Sequence, residues 1–119
     1  MSYVDFVCIP LPKKNLEKYK PLIEVFATVM KENGLVSYCE AIADDVPKGE
    51  STDWFKAVKA EDGETVVNTF LKWPDKKTRD KAWDNGMKDP RLADMMNPEK
   101  SLFDGKRMFW GGFNTLFEI

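Results

Sequence analysis

Hydrophobic and polar positions alternate or recur in blocks along this chain, and the blocks predict a succession of strands and helices. Residues 3 to 11 are rich in β-branched and aromatic side chains and run into Pro12, the composition of a strand. From Leu16 the apolar positions Leu16, Tyr19, Ile23, Phe26, Ala27 and Met30 recur at helical spacing until Asn33-Gly34 stops them. Pro21 inside that run predicts a kink, or a separate first turn with the main helix opening at the proline. Residues 35 to 45 read as a second strand and residues 65 to 73 as a third. Between them, residues 50 to 63 are irregular, yet Trp54-Phe55-Lys56-Ala57-Val58 is too apolar to lie free in water. This stretch is expected to pack back as a lid or a short edge strand. Asp75 caps a helix whose apolar stripe is Ala82, Trp83 and Met87, with an Asp75–Arg79 pair along its surface. Asp89-Pro90 opens a short helix through Met96, and residues 107 to 119 form the last strand, in which Gly111-Gly112 predicts a bulge or a close approach by another group.

The order β-α-β-β-α-β is the ferredoxin-like, split βαβ plan, an α+β fold. It has a four-stranded antiparallel sheet in the spatial order 4-1-3-2, with both helices on one face. All residues, 1 to 119, are expected to form one such domain. Alternation along the strands assigns Val4, Phe6, Cys8, Cys39, Ala41, Val67, Leu71, Trp73, Phe109, Phe113 and Phe117 to the helix-covered face. The other face then receives Tyr3, Asp5, Val7, Ile9, Tyr38, Glu40, Ile42, Asn68, Phe70, Lys72, Met108, Trp110 and Asn114. That second set is too apolar for open water and too polar for a dry core. A homodimer pairing two such faces, most simply with twofold symmetry, is the expected arrangement.

Composition narrows the chemistry. With 43% hydrophobic and 32% charged residues the chain has the make-up of an ordinary soluble protein, and no apolar run approaches the ~20 residues a bilayer crossing needs. The start has no basic stretch followed by an apolar one, so a cytoplasmic location is the default expectation. A net charge of -2 offers no basic footprint for a nucleic-acid backbone. The sequence contains no histidine, which removes Ser-His-Asp and Cys-His catalysis, HExxH zinc sites and histidine-ligated haem. No glycine-rich phosphate cradle is present either, and no metal or cofactor is expected. Cys8 and Cys39 sit at no ligand or redox spacing and, on separated strands, are too far apart to bridge.

What remains is a set of polar groups placed on one sheet face: Asp5, Tyr38, Glu40, Asn68, Lys72 and Trp110. A desolvated carboxylate there can act as a general base while a phenol or amide donates to a developing enolate oxygen. The plainer reading is that Asp5, Glu40 and Lys72 are interfacial ion pairs with Trp110 as an anchor. Arg107 could hold a carboxylate ligand through its planar fork, or lie in a solvated turn beside Lys106.

Three segments carry a family resemblance: Tyr3-Val4-Asp5, Lys88-Asp89-Pro90-Arg91, and Phe103-Asp104-Gly105-Lys106-Arg107-Met108 with Gly111-Gly112-Phe113. Together they resemble the YbaA-like family of short bacterial proteins of unknown function, within the dimeric α+β barrel superfamily, over nearly the whole chain. The resemblance implies a ferredoxin-like subunit whose sheets pair across a dimer, with a pocket between sheet and helices or inside the barrel. It supplies no catalytic residues. The expectation drawn from residues and resemblance is a homodimer binding a small, partly apolar molecule among Tyr38, Glu40, Asn68 and Trp110, with residues 50 to 63 as a flap. The alternatives are a cofactorless monooxygenase or isomerase acting on an enolisable or phenolic substrate through Glu40, Asn68 or Trp110, and a structural dimer without ligand.

Overall fold

A computed structural model describes residues 2–119. β1 (Tyr3–Pro12) leads through a single 3-10 turn into α1 (Leu16–Glu32), followed by β2 (Ser37–Ile42), a short α2 (Trp54–Ala57), β3 (Glu64–Trp73), α3 (Lys76–Gly86), α4 (Ala93–Met96) and β4 (Phe109–Asn114). The strands form one antiparallel sheet in the order β2-β3-β1-β4, which is the expected 4-1-3-2. α1 and α3 lie on one face, and the fold is α+β and ferredoxin-like.

Local chemistry sets the element ends. Gly34 takes a φ of 107°, and its N–H and that of Leu35 return to the carbonyls of Lys31 and Met30, closing α1 in the left-handed turn that glycine tolerates. Asp75 caps α3 by accepting from the Thr78 N–H at 2.7 Å. α1 runs unbroken through Pro21, which is exposed and only five residues into the helix. The expected second start does not occur, because the ring displaces one early backbone bond on a wet face while the buried stripe of Tyr19, Phe26, Val29 and Met30 continues on the other. The last strand stops at Asn114, short of the expected 119, and Phe117 is exposed rather than part of the core.

Strand register corrects the assignment of faces. Tyr3 pairs with Trp73, Asp5 with Leu71, Ile9 with Val67 and Tyr38 with Leu71, so these share the helix-covered side. Their core includes Ile9, Leu11, Leu71 and Trp73, packed by Tyr19, Phe26, Val29, Met30, Ala82 and Leu92. Val4, Phe6, Cys39, Ala41, Phe109 and Phe113 lie on the opposite face, with Asn68, Phe70 and Lys72. β3 was correctly phased, whereas β1, β2 and β4 are inverted relative to the sequence expectation.

Asp5 causes that inversion. Its carboxylate is completely buried and accepts from Trp73 Nε1 at 2.9 Å, Trp83 Nε1 at 3.0 Å, Arg79 Nη2 at 2.7 Å and Arg79 Nε at 3.0 and 3.1 Å. Arg79 therefore turns inward, away from the expected pair with Asp75, and its guanidinium sits 5.3 Å from the centre of the Tyr3 ring. Hydrogen bonding to Asp5 raises its affinity for its proton still further. Gly112, opposite Asp5 in β4, makes room for the cluster: a Cβ there would lie 2.4 Å from the Tyr3 hydroxyl and 2.8 Å from Arg79 Nη2. This is the close approach that the paired glycines predicted.

Asp5→Ala removes the anion and leaves a largely buried guanidinium and two indole N–H groups without an acceptor. We expect a loss of about 3–5 kcal/mol in urea denaturation, the usual cost of breaking a buried pair from one side. A loss below about 1 kcal/mol would show that the cluster does not hold the sheet to α3.

Candidate functional site

The two faces separate the residues that sequence placed together. On the helix side, Glu40 accepts from the Tyr19 hydroxyl at 2.7 Å, the Thr69 hydroxyl at 2.8 Å and the Tyr38 hydroxyl. Burial and the neighbouring carboxylate push both tyrosines well above the ordinary phenol range. Tyr38 and Glu40 thus form a closed network that ties β2 to α1 and β3. Asp5 is buried elsewhere on the same side. Lys72, on the open side, pairs with Glu118.

Arg107 is occupied as well. Its Nη1 and Nη2 donate to the two Glu64 oxygens at 2.6 and 2.7 Å, Nε to Asp104 at 3.0 Å, and Nη1 to the Lys59 carbonyl at 2.9 Å. With these acceptors in place it fastens the loop before β4 to β3, so the fork suited to a ligand carboxylate is spent on Glu64.

The open face holds the concave feature. A hollow of about 580 Å³ is lined by Phe6, Val7, Cys8, Cys39, Ala41, Trp54, Asn68, Thr69, Phe70, Phe109, Trp110, Gly111 and Phe113. Phe6 meets Phe70 and Phe113 edge to face, with ring centroids 5.8 and 5.5 Å apart. Gly111 stands opposite Phe6 and contributes no side chain, which keeps the hollow open on the β4 side. Trp110 pairs with Val7 at the edge strand, in phase with the helix side, and is 62% exposed. It borders the hollow without sharing a face with Asn68.

α2 bounds one end of this face. Asp53 caps it by accepting from the Lys56 N–H at 2.7 Å, and Val58 just beyond it is fully buried with Cys8 and Val66. The 50 to 63 segment is therefore a short helix folded onto the sheet, not an edge strand. Trp54 projects half-exposed at the junction with a second hollow of about 270 Å³, lined by residues 41 to 46 with Trp54, Val66 and Asn68.

Asn68 is the one sequence-selected residue that lines both hollows. Its Oδ1 is buried without a donor, and its amide makes no side-chain hydrogen bond among the described residues. The Nδ2 group is left as a free donor in an otherwise apolar, aromatic recess. An orphaned amide in such a place costs free energy in the isolated chain. The sequence reading missed Phe6, Phe109 and Phe113 as lining residues because it counted them as core; Gly111, which faces Phe6 on β1, was the available signal.

No group of three or more potential metal-ligating side chains occurs among the described residues, and no described helix is long and apolar enough to cross a membrane.

This architecture places the chain in the ferredoxin-like class. Two dimeric ferredoxin-like proteins from an uncultured marine organism share it, each with a TM-score of 0.65 at 11% identity; the first match covers 98% of this chain and 97% of that one, the second 99% and 98%. SnoaB, a cofactor-independent oxygenase from Streptomyces nogalater, matches in an asparagine-to-alanine variant with a TM-score of 0.59 at 12% identity, over 98% of this chain and 96% of its own. Residues 2–105 match the model of a protein family of unknown function, DUF1428, and the chain belongs to that family. It is also 38% identical over 118 residues to the uncharacterized protein YbaA of Escherichia coli K12, covering 99% of both.

Two measurements check the site's surroundings. Cys8 is buried, which pushes its thiol up to about 11, whereas Cys39 is exposed in the hollow. Ellman's reagent at neutral pH should titrate Cys39 ahead of Cys8 in the native protein and both together in denaturant; two thiols reacting at one rate in the native protein would mean that α2 does not cover Cys8. Glu64 and Asp104 are held low by hydrogen bonds from Arg107, and Asp89 is held by Arg91 at about 2 against an ordinary 3.8. Depressed carboxylates stabilise fully above their unfolded values and lose that contribution as pH falls through the folded ones. With no histidine present, the urea midpoint should stay level from about pH 5.5 to 7.5 and fall below about pH 4.

Proposed function

We propose that this protein binds a small, partly apolar molecule on the open sheet face, as a homodimer whose second sheet closes the hollow. The observation that carries the reading is Asn68, an unpaired amide in a recess otherwise built from aromatic and small apolar groups. A flat aromatic body fits between Phe6, Phe70 and Phe113, and an acceptor oxygen on it would take the Nδ2 hydrogen. Phe6 and Phe113 are 48% and 55% exposed, more apolar surface than a lone sheet face ordinarily leaves in water, which supports a second copy as the cover. The dimeric assembly of the two marine proteins supports the same reading.

A cofactorless oxygenase acting on an enolisable or phenolic substrate is the second reading. It is favoured by the likeness to SnoaB and by the same amide, since a donor to a phenolate or enolate oxygen stabilises the anion that reacts with dioxygen. A carboxylate base is not part of the aromatic hollow, because Glu40 is committed to three hydroxyls across the sheet. Binding therefore requires less of this site than catalysis does.

Titration of the full chain with 2-hydroxy-1,4-naphthoquinone, followed by tryptophan quenching, tests both readings. We expect saturable binding, weakened about fivefold in Asn68→Ala, the worth of one hydrogen bond, and unchanged in Glu40→Gln. Equal affinity in wild type and Asn68→Ala would remove the amide from the site. Oxygen uptake with a phenolic naphthalene, lost in Asn68→Ala, would move the assignment to the oxygenase.

A further inference from the structure

The segment that follows β4 runs along one end of the open face. Thr115 returns to the Ser2 carbonyl through its N–H at 3.3 Å and its Oγ1 at 2.7 Å. Ser2 Oγ donates to Glu118 at 3.0 Å, and Lys72 forms an ion pair with the same carboxylate. Ser2 and Lys72 occupy open-face positions, in phase with Phe6 and Phe70. The segment thus bounds the face at the end opposite α2. Hydrogen bonding from Lys72, and then from Ser2, holds the Glu118 carboxylate below its usual range, so the pin is in place at neutral pH.

Between these anchors the apolar side chains remain in water: Leu116 is 96% and Phe117 78% exposed. A backbone ordered on both sides of an uncovered Leu-Phe pair is preorganised for a partner, because part of the ordering cost of association is already met. The area involved identifies the partner. Phe6, Trp54, Phe109 and Phe113, each roughly half exposed, offer together about 400 Å², taking 150–250 Å² per aromatic side chain. A standard interface buries about 800 Å² per partner. Leu116 and Phe117, on the segment that borders this face, add about 250 Å² of exposed surface, bringing the total close to what a stable dimer uses.

We propose that residues 115 to 119 form an arm of the homodimer interface, in which Leu116 and Phe117 of each copy pack against the second copy. This rests on the dimer reading above, and the measurement separates the two. Sedimentation velocity over a concentration series compares the full chain with a Leu116→Ser, Phe117→Ser double variant. Both positions are solvent-exposed in the single chain, so the substitutions leave the subunit fold intact, which far-ultraviolet circular dichroism verifies. We expect a dimeric wild type and a dissociation constant raised at least about tenfold in the variant. A variant that dimerises as tightly as wild type overturns the arm and leaves the dimer standing. A wild type that is monomeric at every concentration overturns both.

Discussion

The buried Asp5 carboxylate is the constraint on which the rest of the molecule depends. A charge removed from water persists only where donors replace its hydration, and here two indoles and a guanidinium do so from three directions. Trp73 belongs to β3, and Arg79 and Trp83 to α3, so one carboxylate on β1 fixes the placement of the sheet against that helix. Gly112 completes the arrangement from β4. Once Asp5 faces the helices, strand pleating sends Val4, Phe6 and Cys8 to the other side, and the open face becomes aromatic as a geometric consequence.

The two sides of the sheet then do different chemistry. Polar groups on the helix side are paired into closed networks, around Asp5 and around Glu40. The open side keeps unpaired chemistry: one amide, one exposed thiol, and aromatic rings packed edge to face around a recess. Partition of this kind separates polarity spent inside the fold from polarity left unpaired on the open face. A satisfied carboxylate has no remaining capacity for a substrate, whereas an orphaned amide retains its full hydrogen-bonding potential.

Most of the fold was legible from sequence. Element order, strand order and the caps at Asp75 and Asp89 follow from local periodicity and turn chemistry, which act over a few residues. The phase of β1 was not, since Tyr3, Val7, Ile9 and Leu11 form one apolar set and Val4, Phe6 and Cys8 another. With both sets apolar, alternation alone does not choose between them, and a strand aspartate ordinarily faces water rather than the core. The Asp5 partners Trp73, Arg79 and Trp83 lie about seventy residues away, beyond anything periodicity records. The same error carried Tyr38 and Glu40 into the candidate site and Phe6 and Phe113 out of it. Asn68 survived because β3 has only one plausible phase, with Val67, Leu71 and Trp73 all on one side.

Arg107 shows why residue type alone does not identify a binding group. The planar fork that makes arginine suitable for a ligand carboxylate makes it equally suitable for Glu64, and a preplaced partner in the same chain wins over any ligand that must be captured from solution. Asn68 is the opposite case. Its neighbours on the open face are Phe70, Ala41 and Cys8, none of which offers its amide a strong side-chain partner, so its hydrogen-bonding capacity can be used only by something that enters the hollow. The proposed site therefore rests on an unmet hydrogen bond, and the region of the sheet that surrounds it is the one that α2, Gly111 and the segment after β4 leave uncovered in the single chain.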